Sequence, residues 1–144
     1  MGPVCSGATI AQAESVSIPA GVVTLSVSAS SPAISEMENG TDLVFRTAAS
    51  DAYQGIALAE LAMSKGIKDI AVSYANDDYN AAIAAVFSKA FTSMGGKITG
   101  NEAHEPNKAS YRSEVNTLGS GSNNLALFAY YGSSAVSYTH LRAH

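Results

Sequence analysis

Charge is scarce in this chain and nowhere concentrated. Of its 144 residues 14% are charged, with 8 Lys and Arg against 12 Asp and Glu and no basic run. A net charge of −4 without a basic patch argues against nucleic acid as a partner. No apolar stretch is long enough to span a bilayer, and no basic segment leads into an apolar one as a signal peptide would. MGPVCS fits the loose myristoylation pattern, but Pro3 argues against it. Cysteine is reduced to Cys5, which excludes an internal disulfide. Cys and His at zinc-ligand spacing are missing, and so is the Gly-x-Ser-x-Gly elbow, so neither a metal site nor a hydrolase triad has a starting point.

What the chain has is an apolar fraction of 47%, which is globular and not disordered. Its length suits one ordinary domain or pieces of two smaller ones. CSGAT, residues 5–9, reads as a turn of small hydroxyl residues opening a helix over 10–18, stopped by Pro19. Such a turn points backbone N–H groups outward and suits an anion. Residues 22–28, VVTLSVS, read as a buried strand, followed by a loop in which Pro32 opens a short helical turn. Asn39-Gly40 signals a turn, and 43–47 is a second strand. Ser50 or Asp51 caps the next helix, with Asp51 and Gln54 resembling a capping box, and Gly66 ends it. Strand 69–75, helix 79–94, strand 97–102, helix 107–118 and strand 125–131 complete the run. Strands separated by helices of this length predict an α/β fold of parallel sheets with right-handed crossovers, whose ligands sit at the carboxyl ends of the strands.

Several features invite chemistry and fail. Gly119-Ser120-Gly121 precedes a strand instead of following one and lacks the third glycine of a dinucleotide loop. Asp77-Asp78 offers the acidic pair of a phosphoacceptor but reads better as a helix N-cap. His104, between Glu102 and Glu105, reads as a solvated strand end before it reads as a metal or base site. What remains is a set of hydroxyls at strand ends: Ser6, Ser28, Ser30, Ser31, Ser133 and Ser134. Their joint placement predicts a polar, uncharged recognition site suited to a zwitterion, with no metal and no cofactor.

The last residues are of another kind. All nine residues of 136–144, VSYTHLRAH, match the translation of a transposase-type sequencing adapter. The native sequence is therefore expected to end near Ser134, leaving 135–144 a non-native tail, disordered and irrelevant to binding.

GPVCSGAT, VVTLSVSASSPAIS, FRTAASDAYQG and DIAVSYANDDYNAAIAAVFSKAF occur together, in that order. With them the chain resembles the branched-chain amino acid (Leu/Ile/Val) binding proteins of ABC importers, which are type I periplasmic binding proteins. The resemblance covers residues 2 to about 134 and implies two partial α/β lobes, 1–47 and 48–134, which close on a ligand in the cleft between them. It implies that Ser6 binds the ligand carboxylate. Ser28 falls where a backbone carbonyl meets the ligand ammonium, and Ser30 where a Thr hydroxyl is often used. Tyr79 matches a cleft tyrosine, whereas Ser134 stands where leucine-binding members place another, which weakens the expectation of strict aliphatic specificity. An acidic residue completing the ammonium site and a disulfide partner for Cys5 would lie outside this sequence. The implied partners are an amino acid or similar small ligand and the permease and ATPase subunits of an importer; the implied location is periplasmic, or extracytoplasmic with a lipid anchor. The implied protein is a binding module and not an enzyme. The alternative is a ligand-sensing domain of a receptor or transcriptional regulator with the same fold.

Overall fold

The computed structural model describes residues 2–130, 134–136 and 138, with the backbone alone for 38–41. The chain falls into two compact units, Met1–Gln54 and Gly55–His144.

In the first unit, α1 (Ser6–Gln12) runs into a π-helical turn (Ala13–Ser17). Strand β1 (Thr24–Ser26), helix α2 (Pro32–Thr41) and strand β2 (Val44–Arg46) follow. The two strands are parallel, with Thr24 opposite Val44, Leu25 opposite Phe45 and Ser26 opposite Arg46. Ala13, Ala29, Ile34 and Val44 form the core, with Ile10, Ile18 and Met37 against it. Helix α1 starts four residues before the 10–18 expected from sequence. Helix α2 runs through the Asn39-Gly40 turn signal and ends at Asp42 in the left-handed region, φ 53°. The expected apolar strand 22–28 is corrected twice. Only three of its residues pair, and the pleat buries its hydroxyls while Val22, Val23, Leu25 and Val27 face outward. Period 2 allows either face inward. The hydroxyl face is buried because each hydroxyl has a partner: Thr24 Oγ1 donates to Ser17 Oγ at 2.7 Å, and Ser26 Oγ donates to the Pro3 carbonyl at 2.7 Å.

The second unit takes most of α3 (Ala52–Ser64) and then alternates β3 (Asp69–Ala75), α4 (Asp78–Ser93), β4 (Lys97–His104), α5 (Arg112–Gly119) and β5 (Leu125–Phe128). The sheet order is β4-β3-β5, all parallel, with β3 central. Apolar residues at helical spacing on α4 (Ile83, Ala84, Phe87, Phe91) meet Ile70 and Val72 of β3 and Phe128 of β5. Helix α4 ends on Gly95 at φ 88°, and Gly96 then passes the Phe91 ring so closely that a Cβ would lie 2.3 Å from it. The fold class is the expected one, α/β with parallel sheets flanked by helices.

Local features settle three sequence readings. Asp77 is the N-cap of α4, its carboxylate accepting from the Asn80 N–H at 2.9 Å. At the start of α3 Ser50 Oγ accepts from the Ala52 N–H at 3.3 Å, and the Asp51 carboxylate accepts from Ser30 Oγ at 2.6 Å. The glycine-serine loop before β5 fastens the start of β3: Ser122 Oγ and Asn124 Nδ2 both donate to the Asp69 carbonyl. Helix α5 starts at Arg112 and not at 107, because Asn107 adopts φ 62° and Tyr111 is turned inward. Strand β4 extends two residues further than expected, to His104.

Candidate functional site

In the first unit, Cys5 is the extended residue before α1, φ −82° and ψ 141°, and Ser6 is the first helical residue. Thr9 fastens this entry by donating to the Pro3 and Cys5 carbonyls at 3.1 and 3.0 Å. Ser6 is 8% exposed, and its Oγ accepts from the Ser31 N–H at 3.2 Å. That bond joins the start of α1 to the loop after β1. The loop is tied down by five further partners. Ser26 Oγ accepts from the Ala29 N–H, and Ser28 Oγ donates to the Val4 carbonyl at 2.9 Å. Ser31 Oγ caps α2 through the Ala33 N–H, and Arg46 donates to the Ser31 carbonyl at 2.8 Å and to Ser35 Oγ. Ser30 Oγ donates to the Asp51 carboxylate at 2.6 Å, while the Asp51 N–H donates to the Ser30 carbonyl at 2.9 Å. Three of the five expected site residues, Ser6, Ser28 and Ser30, therefore stand on one hydrogen-bonded turn and loop at the carboxyl end of β1.

The other two lie in the second unit. Tyr79, the second residue of α4, is half-buried and stacks on Tyr130, ring centroids 6.0 Å apart and planes 14° apart. Tyr130 follows β5 and is exposed, so the pair sits at the carboxyl ends of β3 and β5. Ser134 is buried and its Oγ lies 2.7 Å from His104 Nε2. Ser133 lies outside the described residues.

His104 is the residue the sequence misplaced. It ends β4 but is 3% exposed, not solvated. Its Nδ1 lies 2.9 Å from Ser73 Oγ, and Ser73 Oγ lies 3.1 Å from the Tyr138 hydroxyl. The result is a chain of hydrogen bonds, Tyr138–Ser73–His104–Ser134, walled by Tyr111 edge-on to the imidazole. The flanking Glu102 and Glu105 suggested an exposed strand end. The hidden signal was Ser73, which the pleat of β3 turns to the same face. Tyr138, within the segment expected to be a tail, is 1% exposed and packed on His104 and Tyr111. A phenol that fills an apolar slot and finds a hydroxyl partner is stabilised there whatever its origin.

Burial pushes the His104 pKa below 6.5, with Lys108 adding to the shift and Glu114, Asp77 and Glu105 opposing it. Folding thus favours the neutral ring. The stability it contributes is fully present above pH 6.5 and is lost as pH falls from there through the lowered folded value. Thermal unfolding between pH 7.5 and pH 5 should show this descent in the wild type and a shallower one in His104→Gln. Equal slopes would mean that His104 does not titrate against folding. Among the described residues no group of three or more His, Cys, Asp or Glu converges as a metal site would require, and no helix is long and apolar enough to cross a membrane.

The sequence model of the periplasmic binding proteins matches residues 2–140. The chain belongs to that family. This is the family expected from the four motifs. Solved binding-protein structures share its fold. A candidate branched-chain amino acid ABC transporter from Rhodospirillum rubrum superposes over 99% of this chain with a TM-score of 0.69 at 24% identity. A solute-binding protein of an ABC transporter from R. palustris, in complex with 4-hydroxybenzoate, superposes over 88% with a TM-score of 0.70 at 19% identity. The chain spans 40% of the first protein's length and 34% of the second's. No curated protein matches the chain. The identities are low enough that the two structures speak for the fold alone. The strand-end position of the serine loop is where parallel α/β folds bind ligands.

Proposed function

We propose that the chain is part of the extracytoplasmic solute-binding component of an ABC importer, and that its ligand is an amino acid, branched-chain or similar in size. The observation that carries this reading is the bond from the Ser31 N–H to Ser6 Oγ, which sets a hydroxyl at the mouth of a serine-lined loop at the end of parallel strands. A small ligand carrying both a carboxylate and an ammonium suits such uncharged groups, because each end can exchange water for an oriented dipole. Ser6 takes the carboxylate. The loop with Ser28 and Ser30 takes the ammonium, Tyr79 supplies an apolar wall, and Ser134, bonded to His104 at the end of β4, completes the polar set. The family membership supports a binding role, without a cofactor, outside the cytoplasm, either periplasmic or lipid-anchored, with permease and ATPase subunits as partners. Among its structural relatives one is described as a branched-chain amino acid transporter and another holds 4-hydroxybenzoate, so the ligand class is the point to test. In this reading the lobes are 1–47 and 48–134, with 135–144 derived from an adapter.

In the intact parent protein, Ser6→Ala should weaken amino-acid binding by about 1–3 kcal/mol, the cost of a lost hydrogen bond to a charged group. Isothermal titration with leucine, isoleucine and valine measures it. Unchanged affinity would remove Ser6 from the site.

A further inference from the structure

A serine hydroxyl has one proton to give and two lone pairs to offer, so its role toward a ligand depends on what its neighbours have already used. Ser6 and Ser30 are set in opposite senses. Ser6 Oγ already accepts, from the Ser31 N–H, and among the described residues its own proton has no acceptor; toward a ligand it is a donor. Ser30 has already given its proton, to the Asp51 carboxylate at 2.6 Å. An ionised carboxylate only accepts, so it cannot return a proton to Ser30. Toward a ligand Ser30 Oγ therefore offers lone pairs alone. The Asp51 N–H bond to the Ser30 carbonyl at 2.9 Å pins the two residues at both backbone and side chain. The negative charge stands directly behind the hydroxyl, which polarises it further toward accepting.

We propose that Asp51 is a positioning and specificity-determining residue: it orients the Ser30 hydroxyl as an obligate acceptor, so that this loop takes a cationic N–H donor such as an α-ammonium and disfavours a carboxylate. The proposal rests on the binding reading above and adds a polarity to it. Both hydroxyls belong to the first unit, so donor and acceptor ends are defined within residues 6–51. A ligand with an acid group and no amine satisfies Ser6 and leaves Ser30 and Asp51 facing a group that cannot donate.

The test is a chemical-shift titration of the 144-residue chain, following the Ser6 and Ser30 amides with leucine, with leucinamide (ammonium, no carboxylate) and with 4-methylpentanoate (carboxylate, no ammonium). Leucinamide should perturb Ser30 and 4-methylpentanoate should perturb Ser6. In Asp51→Asn the affinity for leucinamide should fall about tenfold, the scale of one charge-assisted hydrogen bond. Affinity for 4-methylpentanoate should hold or rise, and Asp51→Glu should restore the wild-type order. A structural role alone would weaken both probes alike, and that result overturns the proposal. So does 4-methylpentanoate perturbing Ser30 in the wild type. If leucinamide and 4-methylpentanoate follow the expected pattern and leucine does not bind, the amino-acid reading fails while the polarity of the pair stands. If no probe moves either amide, both fall.

Discussion

Phe87→Ala is expected to cost the second unit about 3–5 kcal/mol. Phe87 is 2% exposed and stands between two other rings, 5.6 Å from Phe91 on its own helix and 5.4 Å from Phe128 on β5. With Ile83, Ala84 and Phe91 it holds α4 against the sheet. Truncation removes the transfer term of a whole ring and leaves a cavity whose walls are poorly placed to collapse. Phe91 is pinned over Gly96, and Gly55 of α3 already lies against Val86 and the Phe87 backbone. Domains of ordinary size have only about 5–15 kcal/mol in hand, so a loss of this size threatens the unit as a whole. Denaturant unfolding followed by circular dichroism reads it. A loss below about 1 kcal/mol would show that α4 does not pack on the sheet as described.

Tyr111→Ala should come close to it, at about 3–5 kcal/mol, for a different reason. Tyr111 is fully buried just before α5. Its hydroxyl donates to the Glu105 carbonyl at 2.9 Å and accepts from the Lys108 N–H at 3.0 Å, closing the turn that leads away from β4. Its ring covers His104, with centroids 5.4 Å apart. Removal opens the turn and admits water to the imidazole, so the His104 pKa should rise toward 6.5 in the same variant. Tyr111→Phe keeps the ring and should lose only about 1 kcal/mol, with little change at His104. Proton NMR titration of the His104 ring together with thermal unfolding separates these effects. If Tyr111→Ala leaves both unchanged, the tyrosine does not wall the histidine.

The legible part of the second unit was its alternation. Apolar residues at 3.6-residue spacing in 79–94 and a β-rich run in 69–75 gave α4 and β3 nearly residue for residue, since α4 has one apolar face and β3, central in its sheet, is buried on both. The Asp77 cap and Gly95 marked the ends of α4 because both act locally. Four motifs pointed to the family, and Ser6, Ser28 and Ser30 were named from their order along the chain.

Amino-acid order thus determined the class of fold, the helices with one clear apolar stripe and the turn and loop on which the serines stand. Tertiary structure decided the rest, wherever a residue's surroundings come from far along the chain. Strand β1 buries its hydroxyls because Ser17 and Pro3 supply partners that periodicity cannot reveal. Asp51 meets Ser30 across 21 residues of chain, a pairing that local spacing does not announce. His104 is buried despite its acidic neighbours, because Ser73 on the next strand and the rings of Tyr111 and Tyr138 close over it. Spacing along a chain reports which groups share a face; only the fold reports which donor meets which acceptor, and that pairing sets the polarity of the serine loop.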